Sequence, residues 1–306
     1  MEFLHILEDI RMPILNEFML LITRLGEETA FLVIALIVFW CVDKKRGYLL
    51  MSVGFLGTMA NQFMKLWFRI PRPWVLDENF TILEQAREAA GGYSFPSGHT
   101  TSAFGTFGSI AATSRRRRTA VLCILLAVLV GFSRMYIGVH TPKDVIVGAL
   151  TSILLIAALR RVPWNDRKMG ALVVIMLAAS LGLLAFVELY PFPADVDAHN
   201  LESGLKNAYT MLGCMTGVCL VYLVERKFVN FTTRALWWAQ ILKVVLGLAL
   251  VLAVKEGLRD PLEALFGNPY PARAVRYFLI VVVAGALYPL SFRFFYKLGR
   301  HVEVKK

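Results

Sequence analysis

The sequence predicts an all-α fold, a multi-pass transmembrane helical bundle with about nine spans. Three observations predict it. Hydrophobic residues fill 57% of the 306 positions, and mean hydropathy is +0.60. That excess gathers in repeated runs of roughly the 17–25 residues a spanning helix needs. Basic residues crowd the connections on one side of those runs, as they do in membrane proteins.

Taken in order, residues 2–24 form an amphipathic segment carrying Glu8, Asp9, Arg11 and Glu17 among Leu, Ile and Met, suited to lying at the membrane interface. Its opening, MEFLHILEDIRM, has early acids and no small-residue cleavage site, so it is not expected to be a cleaved signal. The spans follow at roughly 27–43, 47–68, 97–114, 119–137, 143–160, 169–189, 207–225, 235–254 and 274–296. The expected organisation is an interfacial helix over 1–26, a core over 27–189 and additional C-terminal helices over 190–306. Cys41, Cys123, Cys214 and Cys219 all fall in apolar runs, where cysteine behaves as a small hydrophobe.

Orientation comes from Lys and Arg. The side reached after the first span holds 19 of them, including Arg115 to Arg118 in one short turn, against 11 on the other when Lys65, Arg134 and Lys243 are set aside. The first side is therefore expected in the cytoplasm, with the C-terminus, and the second faces the periplasm, the cell exterior or a lumen. The four arginines read as an anchor at anionic headgroups, and the net charge of +11 calls for no nucleic-acid partner.

Three polar clusters fall on the extracytoplasmic side: Lys65 to Arg72-Pro73, Pro96-Ser97-Gly98-His99, and Ser133-Arg134 followed by His140 and Asp144. Lys65, Arg72 and Arg134 are three cations near one interface with no matching acids, which points to an anionic ligand, and the arginine fork suits phosphate. The turn at Ser97 opens a helix, where free N–H groups and the dipole favour an anion. Gly98 allows close approach there, and Ser97 also suits a simple N-cap. Thr141 and Pro142 fit the start of a helix whose first turn carries Asp144, either as a dipole-favoured acid or as a partner for one nitrogen of His140. The combination points to phosphoryl transfer. His140 is the nucleophile, Asp144 holds it, and His99 is the acid and then the base. Lys65, Arg72, Ser97, Gly98 and Arg134 bind the phosphoryl oxygens, with no metal or other cofactor required.

These clusters, KLWFRIPRP, PSGH and SRMYIGVHTPKD, resemble the three-part signature of the type-2 phosphatidic acid phosphatase superfamily, K-x6-R-P, P-S-G-H and S-R-x5-H-x3-D. The resemblance covers roughly residues 47–160 and departs at no catalytic position. It implies a six-helix phosphatase core, hydrolysis of a lipid phosphate or diphosphate, and the same residue roles. The expected location is a bacterial plasma membrane, with the site on the extracytoplasmic side that the loop charges indicate. Vanadium haloperoxidases share that site but are mostly soluble. The span count also resembles glucose-6-phosphatase, so a soluble phosphoester stays open as substrate, as does a non-hydrolytic lipid-phosphate transporter or binding protein. Lipid and bilayer are the expected partners.

Elsewhere, Asp195, Asp197 and His199 read as a solvated loop rather than a metal site. His5 and His301 receive no role, Trp237 and Trp238 read as an interfacial belt, and Lys243 lies within a span without an evident partner. Tyr93 and Phe95 flank the Ser97 turn, bordering the substrate entrance or simply packing.

Overall fold

The computed structural model describes residues 1–87, 90–161, 166–194 and 196–298. Among them the chain is helical, with no strand. The helices are α1 Glu2–Asp9, α2 Pro13–Thr23, α3 Glu28–Ile37, α4 Lys44–Phe68, α5 Pro73–Leu76, α6 Gly98–Thr113 and α7 Arg117–Tyr136. They continue with α8 Pro142–Arg160, α9 Asp166–Leu189, α10 Ala198–Val224, α11 Trp237–Gly257, α12 Arg259–Phe266, α13 Pro269–Val282 and α14 Phe292–Lys297.

Six stretches among the described residues are long and apolar enough to cross a membrane: Arg117–Tyr136, Pro142–Arg160, Arg167–Leu189, Ala198–Val229, Trp237–Phe266 and Pro269–Lys297. They coincide with the last six of the nine expected spans. The first, Glu28–Val42, qualifies only together with Pro13–Gly26, bent by 55° at the break. The second and third are helices but not simple apolar spans. Asn61, Gln62 and Lys65 lower the apolar character of α4, and α6 has only 16 residues.

The chain divides into two compact units. The first comprises Met1–Ile34, Leu49–Val162 and Leu189–Gly204. Its centre is α6, packed on α7 and α8. Small residues allow that closeness. A Cβ added at Gly148 of α8 would stand 2.7 Å from the Ser97 carbonyl oxygen and 3.1 Å from Thr101 Oγ1. Close backbone approach through small residues is how helices pack without a hydrophobic drive. Ser152 ties the same pair, its hydroxyl donating to the Thr101 carbonyl at 2.6 Å. α1 buries Leu4 and Leu7 beside Phe80 and Ile82, while Phe3, Ile6 and Ile10 are exposed. His5 does have partners, Asp77 at 2.9 Å and Glu8 at 3.1 Å.

The second unit comprises Ala35–Tyr48, Pro163–Glu188 and Leu205–Lys306. Trp40 is fully buried, its indole donating to the Ala284 carbonyl at 2.9 Å. Lys243 is buried as well, and the structure supplies the partners that sequence does not reveal. Its ammonium donates to the Trp40 carbonyl at 2.9 Å and lies 4.5 Å from the centre of the Phe292 ring. Trp237 and Trp238 are exposed at the start of α11. All four cysteines are free.

Candidate active site

The site lies wholly in the first unit, and local chain chemistry builds it. Pro142 at the first helical position starts α8, and Thr141 caps it in a reciprocal box. The Thr141 hydroxyl accepts from the Asp144 amide at 3.5 Å, and the Asp144 carboxylate accepts from the Thr141 amide at 2.7 Å. The acid that starts the helix is thereby fixed four residues after His140. Ser97 caps α6, accepting from the Thr100 amide at 3.4 Å and the Thr100 hydroxyl at 2.9 Å. Those two bonds use its lone pairs and leave its O–H to donate. The Ser97 amide donates to the Asp144 carbonyl at 3.0 Å, joining the two helix starts.

Around these starts the sequence-predicted residues converge. His140 is 2% exposed, Asp144 1% and Arg134 1%, and Lys65, Arg72 and Ser97 are buried too. Arg72 Nη1 stands 3.1 Å from His140 Nε2. Because guanidinium only donates, Nε2 carries the lone pair and Nδ1 the proton. Nδ1 faces Ser94 Oγ at 3.4 Å and Asp144 Oδ2 at 3.5 Å, and the Ser94 hydroxyl donates to Asp144 Oδ2 at 2.6 Å. The carboxylate thus holds the ring largely through Ser94. His99, half-buried in the first turn of α6, lies within electrostatic reach of Arg134, Arg72 and Lys65, and of His140. Gly98 opens the same turn.

The cations are held by neutral groups. Arg72 donates to the carbonyls of Gly91, Gly92 and Val139 at 2.8–3.0 Å. Lys65 donates to the Tyr93 carbonyl. Arg134 donates to Thr23 Oγ1 at 2.8 Å, and its Nε has no partner among the described residues. Three buried cations therefore share one buried carboxylate, Asp144, with the half-buried Glu27 in electrostatic reach of Arg134, and the remaining positive charge is costly unless an anion completes the set. Burial, then the charges of Arg72, Arg134 and Lys65 and the neighbouring His99, hold the His140 imidazole well below the usual histidine range. That direction favours the neutral ring, the form in which Nε2 keeps its lone pair.

Sequence reasoning missed Ser94, Thr23 and Asn61. Asn61 donates to the Pro96 carbonyl at 3.2 Å and so fixes the turn before Ser97. Ser94 sits three residues before Ser97 in an unremarkable YSFPS run, and only folding brings it to Asp144. Phe95 packs edge-on against Phe68, and Tyr93 lines a neighbouring cavity. Asp197 caps α10, accepting from the Asn200 amide at 2.7 Å. Asp195 and His301 lie outside the described residues. Among the described residues no three His, Cys, Asp or Glu side chains converge on a metal position.

Comparison with known proteins adds to this geometry. The profile of the PAP2 superfamily matches residues 45–168, and that of the PAP2 superfamily phosphatase transmembrane extension matches residues 209–300. An undecaprenyl-diphosphatase of Bacillus subtilis (strain 168) is 30% identical over 144 residues, 46% of this chain and 72% of that protein. Phosphatidylglycerophosphatase B of the same organism is 31% identical over 159 residues, 48% of this chain and 74% of that one. A probable sphingosine-1-phosphate phosphatase of Dictyostelium discoideum is 32% identical over 164 residues, 48% and 39% respectively. No solved structure matches the chain. With all three motifs folded into one buried cluster and both profiles matched in order, the chain belongs to the PAP2 superfamily, as an integral membrane phosphatase carrying the family's transmembrane extension.

Proposed function

We propose that this protein hydrolyses the terminal phosphate of a lipid phosphate or lipid diphosphate at the extracytoplasmic membrane face, through a phosphohistidine at His140 and without a metal ion. The observation that carries the reading is the buried set of Lys65, Arg72 and Arg134 beside one buried carboxylate, Asp144, with the His140 lone pair turned toward Arg72. An arriving phosphoryl group takes donors from Arg72 Nη1, Arg134 Nε, Lys65 and the Ser97 hydroxyl, which frees His140 Nε2 to attack phosphorus. The N–P bond forms as the ester or anhydride P–O bond breaks, and His99, which takes up a proton once the bound phosphate anion offsets the neighbouring cations, gives that proton to the departing oxygen. The imidazolium left at His140 is stabilised by Asp144, directly and through Ser94. His99 then takes a proton from the water that cleaves the N–P bond and releases phosphate. The cations supply the charge stabilisation a metal would otherwise give. A lipid substrate is favoured by the names of the relatives and by a site set among membrane helices. The extracytoplasmic side rests on the distribution of loop arginines.

The test is phosphate release by the purified protein in EDTA from a panel of lipid monophosphates, lipid diphosphates and sugar phosphates, with His140→Ala in parallel. The expected outcome is turnover of lipids in EDTA, an acid-labile phosphoenzyme in the wild type, and neither in His140→Ala. Retained hydrolysis in that variant overturns the nucleophile assignment, and a preference for sugar phosphates overturns the lipid one.

A further inference from the structure

Transfer of one phosphoryl group leaves a neighbouring cavity unexplained. It has a volume of about 520 Å³ and is lined by Arg69, Arg72, Gly92, Tyr93, Asp197 and Asn200, among others. That is the size of pockets that hold whole small molecules, roughly 300–1,000 Å³. Arg72 belongs to both places, touching His140 with Nη1 and forming part of the cavity wall.

Arg69 uses the backbone in an unusual way. Its φ is 50°, the left-handed region that costs a side chain other than glycine, asparagine or aspartate. Its Nη1 donates to the Leu66 carbonyl at 3.2 Å. Where such a conformation persists, the surroundings impose it, and binding sites are where it recurs. Asp197 and Asn200 of the wall lie between the two segments matched by the family profiles. Asp197, the one acid among these lining residues, is committed to the cap of α10, and its amide donates to the Tyr93 hydroxyl at 3.4 Å. The cavity is therefore lined by two arginines and one hydrogen-bonded acid, with Asn200 and Tyr93 alongside.

We propose that this cavity binds a second phosphate of the substrate, distinct from the one transferred to His140, and that Arg69 is the residue that selects for it. The inference rests on the hydrolase reading above. The second phosphate is either the one that stays on the lipid after a diphosphate is cleaved, or a phosphodiester a few atoms from a terminal monoester. Both present the same oxyanion to Arg69. Neither phosphatidate nor a sphingoid phosphate has one to offer.

Two measurements on the full-length protein test this. Arg69→Asn removes the charge while tolerating the left-handed backbone, and Arg69→Lys keeps the charge. The first measurement is kcat/KM in detergent for farnesyl diphosphate against farnesyl monophosphate, and for phosphatidylglycerophosphate against phosphatidate. Arg69→Asn is expected to lose about tenfold or more on the two-phosphate member of one pair, mainly through KM, with monophosphates within about twofold and Arg69→Lys recovering most of the loss. The pair that responds identifies the source of the second phosphate. Equal losses across all four substrates, or none, overturn the proposal. The second measurement is calorimetric binding of inorganic diphosphate and orthophosphate, which needs no turnover. A wild-type preference for diphosphate that disappears in Arg69→Asn supports the subsite even if no lipid is hydrolysed, in which case the hydrolase reading alone has failed. Equal binding of the two ions by the wild type overturns the subsite.

Discussion

At the scale of single residues, the informative finding is the hydroxyl between an acid and an imidazole. Ser94 is fully buried and sits 2.6 Å from Asp144 Oδ2, closer than His140 does. Ser94→Ala deprives a buried carboxylate of a donor and lets the ring turn. We expect phosphoenzyme formation to slow by about tenfold to a hundredfold with KM little changed, read by rapid-quench kinetics. In the proposed mechanism His99 serves the other end of the reaction. A lipid alkoxide leaves poorly without a proton, whereas a departing phosphate needs one less. His99→Ala should therefore slow monophosphates more than diphosphates, and equal loss on matched farnesyl substrates counts against its role as the acid. The state of His140 gives a pH test. Its folded value lies below the ordinary value of about 6.5, so the unfolded chain binds the proton more readily. The stability contributed by neutral His140 is complete above that ordinary value and is lost as pH falls toward the folded one. Thermal unfolding in detergent should show Tm falling between about pH 7 and pH 5, with a shallower slope in His140→Gln.

At the scale of elements, the helix starts were legible in the sequence because they depend on neighbours along the chain. Thr141, Pro142 and Asp144 satisfy a capping rule that a reader can apply without coordinates, and the structure has that cap. Ser97 likewise reads as an N-cap and is one. Arg134 and Lys65 were readable as anomalies, since buried cations in apolar helices require a reason. Ser94, Thr23 and Asn61 were not readable, because each acts across 35 or more residues through contacts that no local pattern encodes. The close approach of α6 and α8 belongs to the same class. Gly148 looks like any glycine in a membrane helix until its missing side chain is seen to make room for the Ser97 carbonyl. Gly148→Ala must push backbone, not a flexible side chain. We expect a loss of about 1–3 kcal/mol of stability together with a fall in kcat, because the shift also stretches the link between the Ser97 amide and the Asp144 carbonyl. Unchanged Tm and unchanged kcat would show that the two helices part without consequence.

At the scale of the whole molecule, hydropathy located the helices well and judged their lengths less well. The last six expected spans match helices that can cross a membrane, whereas α4 and α6 carry the polar residues and the early start that the site requires. The sequence reads 97–114 as a span, and α6 runs from Gly98, directly after the Ser97 cap, to Thr113. Sixteen residues rise about 24 Å, against roughly 30 Å of hydrocarbon. Arg115 to Arg118 follow directly, and the sequence reading sets them as an anchor at the headgroups. With that end so anchored, we expect the Ser97 turn to lie several ångströms beneath the opposite headgroup plane, so that a substrate phosphate must sink to meet it or the bilayer must thin around the protein. Catalysis by this enzyme should consequently report membrane thickness. In proteoliposomes, turnover of a fixed lipid substrate should rise as the host acyl chains shorten from about eighteen to about fourteen carbons, while a water-soluble short-chain substrate should show no such trend.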